Sequence, residues 1–190
     1  MKILPKILAI GAAAFMACAA ASLPAQASVE YEEPRNEAQR ITLIDQLIDD
    51  KEWREALKHI AIALKENPHN AQLKFKRAVV YTRMGDRPTA KRLFREFIDR
   101  YPEVVEPYNN LAAIYASEGN LEAARDLLTQ AVTINPNFAL GFENLGDLAL
   151  EGKRPDKRAA LRYYEKALSL TPKDRRLTRK VENFKKQLQK

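Results

Sequence analysis

Side chains of the kinds that do covalent or metal chemistry are scarce in this chain of 190 residues: one cysteine, Cys18, and two histidines, His59 and His69. A zinc centre needs several imidazole or thiolate ligands, and a disulfide framework needs paired cysteines, so the composition speaks against both. His59 falls inside an apolar helical run and reads as a packed or surface side chain; His69 follows Pro68 and reads as a solvated turn residue. Asp49 and Asp50 form the most obvious carboxylate pair. General acid–base work needs two carboxyls in contrasting environments, whereas adjacent aspartates after an apolar run read as the close of a helix. Trp53 could stack on a planar ligand, but its place at the head of an apolar run reads as packing between helices. A Gly-rich phosphate loop, a His-x-x-x-His pair and a cysteine cluster are all missing from the sequence. The reading is therefore of a non-enzymatic protein with no catalytic residues, no metal and no small-molecule cofactor.

Recognition through a surface remains, and the elements that would present it are legible. Hydrophobic residues make up 46% and charged residues 30%, with only 6 glycines. That suits a globular, helix-rich protein and not a disordered one. Prolines mark a period. Pro68, Pro102 and Pro136 stand 34 residues apart, and Pro172 follows after 36. Each closes an apolar run, because proline cannot continue a helix. Opening units at Glu37, Ala71, Val105 and Ala139 brings the rest into register. Small residues recur at Ala78, Ala112 and Gly146, at Ala56, Ala90, Ala124 and Ala160, and at Ala63, Ala131 and Ala167. Bulky ones recur at Leu43, Leu111 and Leu145, at Tyr81 and Tyr115, and at Phe94, Leu128 and Tyr164. Mid-unit turns read Met84-Gly85-Asp86 and Glu118-Gly119-Asn120. Each unit is thus two helices that cross closely at the small residues, and such pairs must stack to bury their apolar faces.

Tyr108 through Tyr115, then Gly119, Ala124, Ala131 and Pro136, carry a resemblance to the tetratricopeptide repeat, as do Phe142 through Gly146 with Ala160, Tyr164, Ala167 and Pro172. The resemblance implies an all-α fold: a right-handed α-solenoid of four helix pairs, 37–70, 71–104, 105–138 and 139–172, with a C-terminal capping helix. The first unit is degenerate, with Ile44 at a small-residue position and Arg40 at an aromatic one. Phe97 replaces alanine in the second and is expected to push the next helix outward. The fourth carries two extra residues near 152–156, and its first helix is expected to end near Gly152. In 173–190, Leu177, Val181, Phe184 and Leu188 share one face of a basic amphipathic helix.

The resemblance further implies a concave groove, lined by the first helix of each unit, in which an extended or helical peptide lies. Its expected lining includes Phe75, Lys76, Val79, Thr82, Arg83, Asn109, Asn110, Ala113, Asn144 and Asp147. Asn110 and Asn144 share an offset, and an amide side chain can pair with a peptide backbone of any sequence. Some members of the family clamp a terminal carboxylate with a lysine and an asparagine one turn apart. Phe75, Val79, Asn109 and Ala113 stand at those offsets, so that clamp is not matched.

Charge is segregated: residues 74–100 hold 9 basic and 3 acidic side chains, 101–152 hold 1 and 8, and 153–190 hold 14 and 4. A net charge of +7 raises the question of nucleic acid, but the expected groove lacks a run of aromatics for bases, and no nucleic-acid partner is assigned. The expected partner is a protein or peptide, with an anionic membrane surface as a further contact for 173–190. The N-terminus reads as an export signal over 1–27: Lys2 and Lys6, an uncharged run from Ile7 to Leu23, then Ala25-Gln26-Ala27. A membrane anchor competes, though the run is short and alanine-rich. So does a lipoprotein at Cys18, with Phe15 where leucine is usual. An acidic, aperiodic lead-in follows at 28–36. The whole reads as an exported, periplasmic scaffold. The alternative is an envelope assembly factor held at the membrane by its basic end or by Cys18. Intact-mass analysis of the chain from an envelope fraction should find an N-terminus at Ser28; a diacylated species starting at Cys18 would replace the export reading with the lipoprotein one.

Overall fold

The structure, a computed structural model, describes residues 36–189 together with Glu32 and Pro34. The expected signal, Cys18 and the rest of the acidic lead-in lie outside the described residues. Nine helices and no strand occur among the described residues: α1 (Glu37–Asp49), α2 (Trp53–Glu66), α3 (Ala71–Met84), α4 (Arg87–Arg100), α5 (Glu106–Ser117), α6 (Leu121–Ile134), α7 (Ala139–Leu150), α8 (Lys157–Leu170) and α9 (Arg175–Leu188). None of them is long and apolar enough to cross a membrane.

Local signals set these boundaries. The side chains of Asn36, Asn70, Asp86, Asn120, Asp156 and Asp174 each accept a hydrogen bond from a free backbone N–H of the helix they open. Helices α2, α4, α6 and α8 all stop two residues short of a proline. Within the pairs the chain turns through the left-handed region, at Gly85 (φ 82°) and Gly119 (φ 78°). Lys51 holds the same position in the first pair at φ 64°, a conformation that costs a side-chain-bearing residue energy. In the fourth pair α7 ends at Leu150, and the two extra residues form a loop closed by Asp156 N–H donating to the Ala149 carbonyl at 2.7 Å.

Each pair packs tightly on itself, and each second helix packs on the next pair's first. The crossing point inside a pair is matched in volume. Ala78 faces Phe94 in one core cluster, Ala112 faces Leu128 in the next, and Gly146 lies under the ring of Tyr164. In α1–α2 the same offsets carry Ile44 and Ile60, both fully buried. Phe97 does not hold α5 away: α5 packs on α4 as closely as α7 packs on α6. The Phe97 ring is absorbed between Phe75, at 5.9 Å between centroids, and Tyr101, at 4.8 Å. Trp53, expected in the core, is only half-buried at the start of α2, beside Arg83 and Met84.

Helix α9 covers the end of the stack. Leu177 and Val181 are buried against Ala160, Tyr164 and Ala167, and the Phe184 ring meets that of Tyr164 edge-on at 5.5 Å. Leu188, expected on the same face, is 37% exposed. The tightest crossing is at Gly146, where an added Cβ would come within 2.5 Å of the Tyr164 ring. Alanine exceeds glycine by about 1 kcal/mol in a helix with room for it. Here the clash reverses the sign: Gly146→Ala should lower stability by about 1–2 kcal/mol in denaturant melts.

Candidate functional site in the concave face

Between α5 and α7 the stack opens a cavity of about 380 Å³. Its floor is apolar, built from the small Ala112, Ala116 and Ala124 with Leu121, Leu128 and Leu148, and its polar rim is Asn109, Ser117, Asn144, Asp147 and Glu151. The small residues that let α5 and α6 cross also leave this hollow. Asn144 Nδ2 donates to Asn109 Oδ1 at 2.5 Å, so the two amides bridge adjacent pairs at the rim. Asn109 keeps both N–H donors of its own amide free of any partner among the described residues, and Asn144 keeps its carbonyl oxygen likewise.

Of the expected groove residues, Asn109, Ala113, Asn144 and Asp147 come together here. The others lie elsewhere. Asn110 Nδ2 donates to the Glu106 carbonyl of its own helix at 2.8 Å. Phe75 and Val79 pack against the cluster of Ala78, Leu93 and Phe94. Lys76 forms an ion pair with Asp45 of α1, and Thr82 Oγ1 donates to the Ala78 carbonyl at 3.0 Å. Arg83 lines a shallow hollow beside Trp53. Among the histidines, His59 is buried in α2 with Nδ1 unpartnered, and His69 is exposed near Arg100. No group of residues suited to holding a metal occurs among the described residues.

The sequence reading missed an ionic cluster that joins α7 to α9 and meets the cavity at Asp147. Glu143 is buried to 6% exposure, a rare setting for a carboxylate. Arg176 donates to it through both terminal nitrogens, at 2.6 and 2.7 Å, and Lys180 Nζ adds a third bond at 2.9 Å. Lys180 also reaches Asp147 at 2.5 Å and lies 4.6 Å from the centre of the Tyr164 ring, whose hydroxyl donates to Asp147 at 2.6 Å. The Arg176 bonds hold the Glu143 carboxyl down to about 2, with the Lys180 bond and both positive charges adding to them and burial opposing. Burial first, then the Asp147 bond and the neighbouring carboxylates, push the Tyr164 hydroxyl well above its usual range. A signal existed: Glu143 shares its offset with Phe75 and Asn109, and Arg176 and Lys180 stand one turn apart on the terminal helix. It became readable only once α9 was known to lie against α7.

Three of the basic residues of α9 are therefore paired with carboxylates of the stack, Lys185 with Glu165 at 2.7 Å besides Arg176 and Lys180. The face that could enter lipid is largely packed on α8.

Residues 75–139 match the family model described as tetratricopeptide repeat, which spans the second and third pairs and the α5–α6 half of the cavity. These two helix pairs are tetratricopeptide repeats. The chain is 32% identical over 89 residues to the photosystem I assembly protein Ycf3 of Cyanophora paradoxa, a match covering 42% of this chain and about half, 51%, of that relative. Among solved structures it resembles Pseudomonas aeruginosa PilF, with a TM-score of 0.68 at 21% identity over 80% of this chain and 68% of that one. It also resembles the first tetratricopeptide domain of Spaghetti (RPAP3) bound to the HSP90 peptide SRMEEVD, with a TM-score of 0.55 at 19% identity over 63% of this chain and 94% of that one. At these identities the structural likenesses establish the repeat fold. Tetratricopeptide scaffolds commonly mediate protein–protein interaction, and this neighbour carries a peptide.

The Glu143 carboxyl lies below its ordinary value of 4.5, so its contribution to stability is complete above that pH and is lost as pH falls from 4.5 towards 2. Glu143→Gln should cost about 1–2 kcal/mol at pH 7. It should also remove part of the parent's loss of stability between pH 4.5 and 2, which melts of both proteins at pH 7 and 3 will show.

Proposed function

We propose that the protein is a non-enzymatic scaffold that binds an extended or helical segment of a partner protein along the concave face, anchored in the α5–α7 cavity. The carrying observation is the pairing of an apolar, small-residue hollow with a rim of two amides that bridge adjacent repeats. The hollow takes an aliphatic or aromatic side chain of the partner, and the free amide groups of Asn109 and Asn144 take its backbone. Residues 101–152 carry 1 basic and 8 acidic side chains, and Glu151 stands exposed on the rim, so a segment with a basic residue beside its apolar anchor is favoured. The lysine–asparagine clamp for a terminal carboxylate is not matched by Phe75, Val79, Asn109 and Ala113, which separates this groove from one built for a carboxyl terminus. The same proposal places the protein in the bacterial envelope, on the strength of the N-terminal sequence pattern.

The test is selection of binders from a random displayed-peptide library, followed by affinity measurements. Because Asn109 and Asn144 are each other's partners, replacing both by alanine leaves neither unpaired, and the melting temperature should barely move. Binding of the selected peptides should weaken by about 1–3 kcal/mol. Ala113→Phe, at an exposed position on the rim, should block binding outright. Selected peptides that bind both variants as tightly as the parent would remove the site from this face.

A further inference from the structure

Three of the four pairs bury a leucine at the seventh position of the unit: Leu43 at 6%, Leu111 at 2% and Leu145 at 3% exposure. The second pair carries Arg77 there. Its Nε is closed off from solvent without a hydrogen-bond partner. No other hydrogen bond or ion pair joins the side chain to any described residue. A position that is a buried leucine in the other pairs thus carries a half-buried guanidinium whose Nε has neither solvent nor a protein acceptor, and an N–H left in that state costs free energy until an acceptor arrives.

The surroundings indicate what that acceptor is. Arg77 lines a cavity of about 280 Å³ between α3 and α4, together with Lys74 and Arg100. Neither of these pairs with a carboxylate among the described residues. Leu93, Phe97 and Tyr101 supply its apolar wall. Glu96 is the acidic member, and Arg92 already holds its carboxylate at 2.7 Å. Arg100 lies 5.9 Å from the Tyr101 ring centre, and its Nη2 is 3.4 Å from His69 Nδ1. Residues 74–100, the stretch of α3 and α4 that bears the cluster, hold 9 basic against 3 acidic side chains, and Glu96 is the one acidic residue lining the cavity.

We infer that this cavity is a binding site for an oxyanion, a carboxylate or a phosphate, carried on a small apolar body. The anion would meet the forked guanidinium of Arg77 with Lys74 and Arg100 beside it, a geometry suited to two-oxygen recognition. The body would lie on Phe97 and Tyr101. This site shares no residue with the α5–α7 cavity, so it stands whether or not a peptide binds there.

The test uses the full chain without its first 27 residues, titrated with inorganic phosphate, phenyl phosphate and benzoate at constant ionic strength. Sodium chloride serves as the blank and amide chemical shifts as the readout. The expected result is saturable shifts at residues 74, 77, 97 and 100, with at least one of the ring-bearing anions binding about tenfold or more tighter than inorganic phosphate. Which of phenyl phosphate and benzoate binds tighter identifies the head group. Arg77→Leu restores the residue of the other three pairs, so it should melt no lower than the parent while weakening binding at least about tenfold. Lys74→Gln, on the half-exposed edge, should keep the melting temperature and weaken binding less. Shifts no larger than those from chloride, or unchanged affinity in both variants, would overturn the site. Inorganic phosphate binding as tightly as the aromatic anions would overturn the apolar body.

Discussion

The close crossing of the two helices within each pair is the constraint on which the rest of the structure depends. Backbones approach there only if one side chain is small, and the opposite one must then be large enough to leave no void. Three pairs meet this condition with different residues, Ala78 with Phe94, Ala112 with Leu128, and Gly146 with Tyr164, and the first departs from it with Ile44 and Ile60, both buried. The first-helix residue becomes smaller along the stack, from isoleucine through alanine to glycine. The last pair is the extreme case, and its large ring has consequences beyond packing. The Tyr164 hydroxyl reaches past glycine's missing side chain to Asp147, which ties the crossing to the concave face.

From that crossing the functional geometry follows. Small side chains on α5 and α6 leave the hollow between α5 and α7. The repeat then places Asn109 and Asn144 on neighbouring first helices, near enough for one amide to meet the other. At the end of the stack, α9 lies against α7 and α8 as a further first helix would, and brings Arg176 and Lys180 onto Glu143. A buried carboxylate is tolerable only with partners of this quality, and here three hydrogen bonds from two cations supply them. The terminal helix therefore holds a buried carboxylate of α7, and through Lys180 reaches Asp147 on the cavity rim, as well as covering an apolar end.

The helical repeat was legible because its signals are local. Prolines end helices wherever they stand, capping asparagines and aspartates open them, and small residues at a fixed offset mark the crossings. Much less of the candidate site was legible, for two reasons. Offsets assign residues to a helix face, but they do not say which neighbour consumes a side chain. Lys76 is taken up by Asp45, Asn110 by the carbonyl of its own helix, and Phe75 by the rings of Phe94 and Phe97. The Glu143 cluster joins residues more than thirty positions apart through the packing of α9, which no periodicity specifies. Arg77 was visible as the gap in a column of leucines, but its meaning depends on the absence of a partner in the fold.

Hydrogen exchange of the chain with and without a peptide selected from a displayed library locates the binding surface. Binding in the α5–α7 cavity should slow exchange in the amides of α5 and α7 around Asn109, Ala113, Asn144 and Asp147, with α4 and α6 little changed on their outer faces. Protection confined to the second helices of the pairs, with α5 and α7 unaffected, would contradict it.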